Sequence, residues 1–141
     1  DAEVGQRLYA GAGRCTTCHM IAGMGSLLGP DLTFVGDRRS PDELRADLLE
    51  PDHEVAPRWW SVRVTYADGR KLEGIRMNED TYSYRLLDAD EKLWSIAKRD
   101  LRESQRIETS TMPSYDDQLT VSEVDNLVAY LFSLRTRESA P

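Results

Sequence analysis

Several protein classes are excluded by what the chain has too little of. Its only cysteines, Cys15 and Cys18, are too few and too close together for the disulfide framework of a small secreted domain. Basic side chains are outnumbered, 18 against 25, so the net charge is −7 and the pI about 4.8. Such a surface repels phosphate backbones, which excludes nucleic-acid binding as the main role. No apolar run approaches the roughly 20 residues that span a bilayer, so no transmembrane segment is expected. There is no internal repeat and no low-complexity tract. The sequence opens directly on Asp1 without a basic-then-apolar leader, which fits either a cytosolic protein or one whose signal peptide has been removed.

What is present fits a globular protein of one domain, or of one domain carrying a large insertion. The chain has 141 residues, 40% of them apolar, and a mean hydropathy of −0.56. Its charge is uneven: residues 58–110 hold 11 basic and 10 acidic side chains, the remainder 7 and 15. That contrast marks the middle of the chain as a separate module. Val4, Leu8 and Tyr9 recur at helical spacing over residues 2–13, with Gly5 and Gly11 near the same face. A second helix is signalled by Ser40 as cap, Pro41 at the first helical position and Glu43 closing a capping box. Leu44, Leu48 and Leu49 form its apolar stripe, and Pro51 bounds it. The last helix has Thr120 and Glu123 as its capping box and Leu119 with Val124 as a staple. Val124, Leu127, Val128, Leu131 and Leu134 line one face, and Arg135 and Arg137 suit its C-terminal dipole.

Between the second and last helices the period changes to two. Trp60, Val62, Val64 and Tyr66 alternate with Ser61, Arg63 and Thr65, the pattern of a half-buried strand. Asp68-Gly69 is a hairpin turn, and Leu72, Ile75 and Met77 form the return strand, with a change of parity at Gly74 that implies a bulge. Tyr82, Tyr84 and Leu86 read as a third strand. Leu93 to Ala97 form a fourth after the turn at 88–91, and Ile107 belongs to a weak fifth. Trp60, Val62, Val64, Tyr82, Tyr84 and Leu86 are expected to share one apolar face. A meander of this size must cover that face to be stable.

Cys15-Thr16-Thr17-Cys18-His19 is a CxxCH sequence, the attachment signature of c-type haem. Two thiols three positions apart reach the two vinyl groups on one haem edge, and the adjacent imidazole is carried over the iron. Three other readings stay open. A zinc site would have to use Cys15, Cys18, His19 and His53, without finger-like spacing. A redox disulfide belongs at a helix N-terminus after a strand, whereas this CxxC follows a helix. The third is chance.

The surrounding residues resemble the class I cytochrome c family at both ends of the chain. Gly5-x-x-x-Tyr9, CTTCH, Gly29-Pro30-Asp31-Leu32, Gly36-Asp37-Arg38, Met112-Pro113 and an aromatic C-terminal helix occur in that family's order. The chain is similar, more closely, to bacterial cytochrome c domains with a β insertion, sometimes fused to dehydrogenases. The resemblance implies a mainly α cytochrome c fold spanning residues 1–141 as one domain. An antiparallel β meander is inserted at 58–110, α+β overall. It implies one covalent haem c, with His19 as proximal ligand and the Pro30 carbonyl accepting its Nδ1–H. Arg38 would meet one haem propionate, and Trp59 or Trp60 the other. Gly5, Tyr9 and Tyr130 would form a helix crossing beside the haem.

For the sixth iron position the resemblance favours Met112, which precedes Pro113 in a polar, turn-rich segment matching the family's ligand loop. Met20 and Met24 follow His19 too closely, Met77 reads as sheet core, and His53 as a surface residue between Pro51 and Pro57. The implied function is single-electron transfer between a redox protein donor and acceptor, not enzymatic conversion. The implied location is the periplasm or another extracytoplasmic space of a bacterium, the signal peptide having been removed. A redox domain of a larger dehydrogenase and a haem-based ligand sensor remain as alternatives. The near-neutral insertion is a candidate face for a partner or a homodimer, and it is expected to pack over the propionate edge of the haem. Electron exchange would then use the edge near Cys15 and Cys18.

Overall fold

The structure, a computed structural model, describes residues 1–136, so Arg137 lies outside the described residues. The described chain packs as two compact units, one built from residues 1–53 and 112–136, the other from residues 54–111.

In the first unit, α1 (Ala2–Ala10) starts where the Asp1 carboxylate accepts the Glu3 and Val4 amides at 2.9 and 3.0 Å. It stops at Gly11, earlier than the sequence periodicity indicates. Two very short strands follow, β1 (Met20–Ile21) and β2 (Met24–Gly25). Their two-residue turn has positive φ at both Ala22 and Gly23, the hairpin geometry that matches strand twist. Two-residue strands are too short to show a period, so nothing in the sequence pattern announces them. The helix α2 (Pro41–Leu49) begins with the expected reciprocal capping box: Glu43 N–H donates to Ser40 Oγ, and Ser40 N–H to Glu43 Oε2. The last helix, α3 (Val121–Ser133), repeats that box with Thr120 and Glu123. Arg135 Nε then donates to the Phe132 carbonyl near its C-terminal end.

The core of this unit is one cluster in which Tyr9, Leu44, Leu48, Val124, Leu127, Val128 and Leu131 are buried. α1 crosses α3 at Gly5, where a Cβ would collide with the Asn126 carbonyl and lie 2.7 Å from Tyr130 Cβ. The rings of Tyr9 and Tyr130 meet in the same crossing, 5.8 Å apart and tilted by 59°.

The second unit is a five-stranded antiparallel sheet of β3 (Ser61–Tyr66), β4 (Lys71–Glu79), β5 (Ser83–Leu87), β6 (Leu93–Ala97) and β7 (Leu101–Ile107), in the order β6-β5-β4-β3-β7. The turn at Asp68-Gly69 forms as its residues require, with Gly69 at φ +89° and Asp68 accepting the Arg70 amide. The fifth strand is seven residues long rather than weak, and it returns to pair with β3 instead of following β6. Only the 3-10 turn Lys98–Asp100 joins β6 to β7, the two outermost strands. In a flat sheet those strands would be about 19 Å apart, farther than a three-residue turn reaches. The sheet must therefore curl. The Tyr84 and Ser104 hydroxyls, from β5 and β7, accordingly meet at 3.2 Å across it.

Curling changes which residues are covered. Val62, Val64, Tyr84, Leu86 and Ile96 form a buried cluster with Tyr66, Leu72, Trp94 and Leu101 packed around it, all from this unit. Trp60 and Tyr82 were expected on that face, but neither belongs to the cluster. Tyr82 precedes β5 and is 81% exposed. The bulge is not at Gly74, which stays in register with Val62; it lies between Arg76 and Asn78. Glycine at 74 serves a close approach instead, since a Cβ there would sit 2.6 Å from the Leu87 carbonyl. Met77, the bulged residue, is 52% exposed, which corrects its reading as sheet core. Strand residues outnumber α-helical ones among the described residues, so the chain is mixed α and β rather than mainly α. Early helix ends and the full-length fifth strand account for the difference.

Candidate functional site

The CxxCH residues are carried on a single tight turn. Arg14, at φ +50°, turns the chain into the 3-10 segment Cys15–Thr17, and its carbonyl accepts the Thr17 hydroxyl at 2.7 Å. The Cys18 and His19 amides both return to the Cys15 carbonyl, at 3.1 and 2.8 Å. Both thiols are free, with Cys15 buried and Cys18 half-buried. Burial pushes the Cys15 thiol up to about 11, far from the depressed value of a redox-active thiolate.

His19 is oriented by the loop behind it. Its Nδ1 lies 2.8 Å from the Pro30 carbonyl, which can only accept, so Nδ1 carries the proton and Nε2 keeps its lone pair. Gly29 makes this possible: a Cβ there would stand 2.8 Å from His19 Cε1 and 2.9 Å from Nδ1. Gly25, at φ +125°, lets the chain pass under the His19 carbonyl, which accepts the Ser26 amide at 3.2 Å. Burial lowers the imidazole below its ordinary value and the Pro30 carbonyl works in the opposite direction. A neutral imidazole of fixed tautomer is what a metal ligand requires.

The remaining residues singled out from the sequence fall in several places. Arg38 is exposed, and its Nη2 donates to the Asp31 carbonyl at 2.9 Å beside a groove lined by Ala22, Thr33 and Phe34. Its neighbours clasp the end of α3: Gly36 N–H donates to the Leu134 carbonyl at 2.9 Å, and Asp37 accepts both the amide and the hydroxyl of Thr136. Met112 is half-buried and packs against the core cluster that contains Cys15 and Tyr9. His53 is engaged locally, Nδ1 with the Glu50 carbonyl at 2.7 Å and Nε2 3.8 Å from Asp47. Trp59 belongs to the second unit, on the 3-10 turn Pro57–Trp59 with the Arg58 guanidinium over its ring. Trp60 spends its indole N–H on the Val55 carbonyl.

The sequence model of one protein family, described as cytochrome c, matches residues 2–90. The chain belongs to the cytochrome c family. A comparison with curated protein sequences finds no match. The matched span of this cytochrome includes Cys15, Cys18, His19, Pro30, Arg38 and Trp59, and ends before Met112 and α3.

Its cofactor is one covalently attached haem c, its chemistry is haem-based electron transfer, and that chemistry requires redox partners. Cytochrome c domains are typically extracellular or periplasmic, and no described helix is long and apolar enough to cross a membrane. The residues fit the group. Two free thiols and one fixed imidazole share a turn, and Leu27 and Phe34 on the following loop present apolar surface. The Tyr9 hydroxyl, in the same core as Cys15, is a buried polar atom without a protein hydrogen-bond partner, as occurs where a bound group or internal water completes a site. No group of three or more His, Cys, Asp and Glu side chains among the described residues could hold a separate metal ion. Sequence reasoning missed Gly13, Gly25 and Tyr115. Their only advance signal is their closeness in sequence to the CxxCH and to Met112.

Proposed function

We propose that this chain shuttles single electrons between a donor and an acceptor protein, with Cys15 and Cys18 anchoring the haem and His19 and Met112 as axial ligands. The proposal includes the sheet, residues 58–110, as an insertion into one cytochrome c domain, and an extracytoplasmic site of action in a bacterium after signal-peptide removal. The observation that carries it is the His19–Pro30 hydrogen bond of 2.8 Å, which reserves Nε2 for iron on the turn that bears both thiols. Haem held by these residues would supply an iron that alternates between ferric and ferrous states. The Pro30 carbonyl fixes the ring and raises its ligand strength. Arg38, tethered by the Asp31 carbonyl, is the proposed propionate partner. No substrate is converted in this reading.

Holoprotein made in a host with haem-maturation machinery tests it. The denatured protein is expected to retain one haem by mass, and the oxidised protein to show the weak far-red sulfur-to-iron band of His/Met ligation. Met112→Ala should abolish that band. Loss of the band in Met77→Ala or His53→Ala, with Met112→Ala unaffected, would overturn the assignment.

A further inference from the structure

The segment from Met112 to Leu119 has no helix or strand to hold it. Its fastenings are individual hydrogen bonds, most of them through Ser114 and Tyr115. The Tyr115 amide donates to the Leu48 carbonyl at 3.0 Å, and Ser114 Oγ donates to the Leu49 carbonyl at 2.7 Å. These acceptors are among the last carbonyls of α2, which have no partner within their own helix. The Tyr115 carbonyl in turn accepts the amides of Gln118 and Leu119, both at 3.1 Å. Tyr115 is 6% exposed, the one buried side chain between Met112 and Leu119.

Its hydroxyl makes the longest connection. It donates to the Gly13 carbonyl at 2.6 Å, across 102 residues of sequence, and Gly13 stands two residues before Cys15. Gly13 is itself constrained, because a Cβ there would lie 2.9 Å from the Leu8 carbonyl and 3.1 Å from Cys15 Sγ. The free Cys15 thiol also points at that carbonyl, from 3.5 Å. A thioether has no proton to give, so once Cys15 is joined to haem, Tyr115 is the remaining side-chain donor described at Gly13. Burial, the largest cause, holds the phenol above its ordinary value, so it stays a donor at neutral pH.

We propose that Tyr115 is a positioning residue for the distal ligand: by bonding Gly13 and the end of α2, it holds the Met112 loop closed and sets how readily Met112 leaves the iron. The inference rests on Met112 as ligand. The loop is held by a few single bonds and not by a ladder, so loss of the buried one to Gly13 shifts its opening equilibrium by a measurable amount.

The test uses the holoprotein and three variants. Tyr115→Phe keeps the ring and removes only the hydroxyl. In the oxidised protein, imidazole must displace the distal ligand to bind, so its rate of binding reads loop opening. Tyr115→Phe is expected to raise that rate about tenfold, the worth of one buried hydrogen bond. It should also weaken the far-red sulfur band at lower temperature than in the parent protein. Ser114→Ala, at an exposed position, should raise the rate about two- to threefold, and it decides the matter if Tyr115→Phe does not mature. Unchanged imidazole rates in both variants, with the band lost in Met112→Ala, would overturn the role of Tyr115 and leave the ligation intact. A band that survives Met112→Ala would overturn the ligation and this inference together.

Discussion

The two units fasten their chains by different means. In the helical unit the candidate site residues lie on irregular segments, and their backbone groups are satisfied one at a time. His19 uses Pro30, Gly36 uses Leu134, and Tyr115 uses Leu48 and Gly13. In the sheet unit the strands form one ladder, and the turns are closed by aspartates: Asp68, Asp80 and Asp88 each accept amides two to four residues on. Charge follows the same division. Residues 54–111 hold 11 basic and 11 acidic side chains, and the rest of the chain 7 and 14, so the whole net charge lies outside the sheet unit. Many cations of the sheet are spent on its own rings and acids. Lys98 sits 4.7 Å over Tyr84 and 2.9 Å from Glu79, and Arg106 sits 4.8 Å over Trp60. A ladder tolerates the loss of one bond better than a loop does, so single substitutions at the site should matter more than comparable ones in the sheet.

Glycine substitutions offer the largest test of that contrast. Gly5→Ala drives a methyl into the Asn126 carbonyl at the α1–α3 crossing, where two helix backbones must separate to make room. Overpacking of this kind costs about 3 kcal/mol or more. Gly74→Ala meets the Leu87 carbonyl at 2.6 Å in a sheet that can adjust its twist, and about 1–2 kcal/mol is expected. Chemical denaturation with hydrogen exchange would check both, expecting protection to fall in α1 and α3 for the first and in β4 and β5 for the second. An equal cost for the two would break the comparison.

Capping gives a smaller effect. Thr120→Ala removes the acceptor of the Glu123 amide, 3.3 Å away, and should lower stability by about 1 kcal/mol. A shift in denaturation midpoint without a change of slope would confirm that only the cap was lost.

The smallest effect is in the pH dependence. Glu43 and Glu123 are held below their ordinary 4.5, first by the amides of Ser40 and Thr120, then by the hydroxyls. Asp68, Asp80 and Asp88 are held below 3.8, the first two chiefly by backbone amides and Asp88 chiefly by the Trp94 indole N–H. A carboxylate depressed in the folded state binds its proton more readily when unfolded. Its stabilisation is therefore complete above the unfolded value and disappears as pH falls through the folded one. Helix capping should start to weaken just below pH 4.5, and the turns of the sheet only below about 3.8. Circular dichroism for the helices and tryptophan emission for the sheet would separate the two, and Glu123→Gln should remove part of the first step only. Simultaneous loss of both signals would contradict the contrast.

Much of this was legible in the sequence because local chemistry enforces it. Both capping boxes, the Asp68-Gly69 turn and strand β6 lie where residue type and period put them, since each depends on groups a few positions apart. The Pro30 carbonyl was expected beside His19 through family resemblance, and it is found there. The parity change points to Gly74 and not to the true bulge because a glycine kept for close approach looks, in sequence, like a glycine kept for a kink. Met77 has the pattern of a buried residue for the related reason that parity alone cannot locate an extra residue.

The sequence by itself determined that one turn carries two thiols and an imidazole, because three and four positions of spacing fix that whatever surrounds them. It also determined where helices begin. Tertiary structure decided the rest: that β7 pairs with β3, that the sheet curls over its own apolar face, and that Tyr115 closes the Met112 loop onto Gly13. Those outcomes join groups from 20 to 102 residues apart. No local propensity encodes such pairings, because a chain acquires them only when burial and hydrogen bonding together outweigh the entropy of closing the loop.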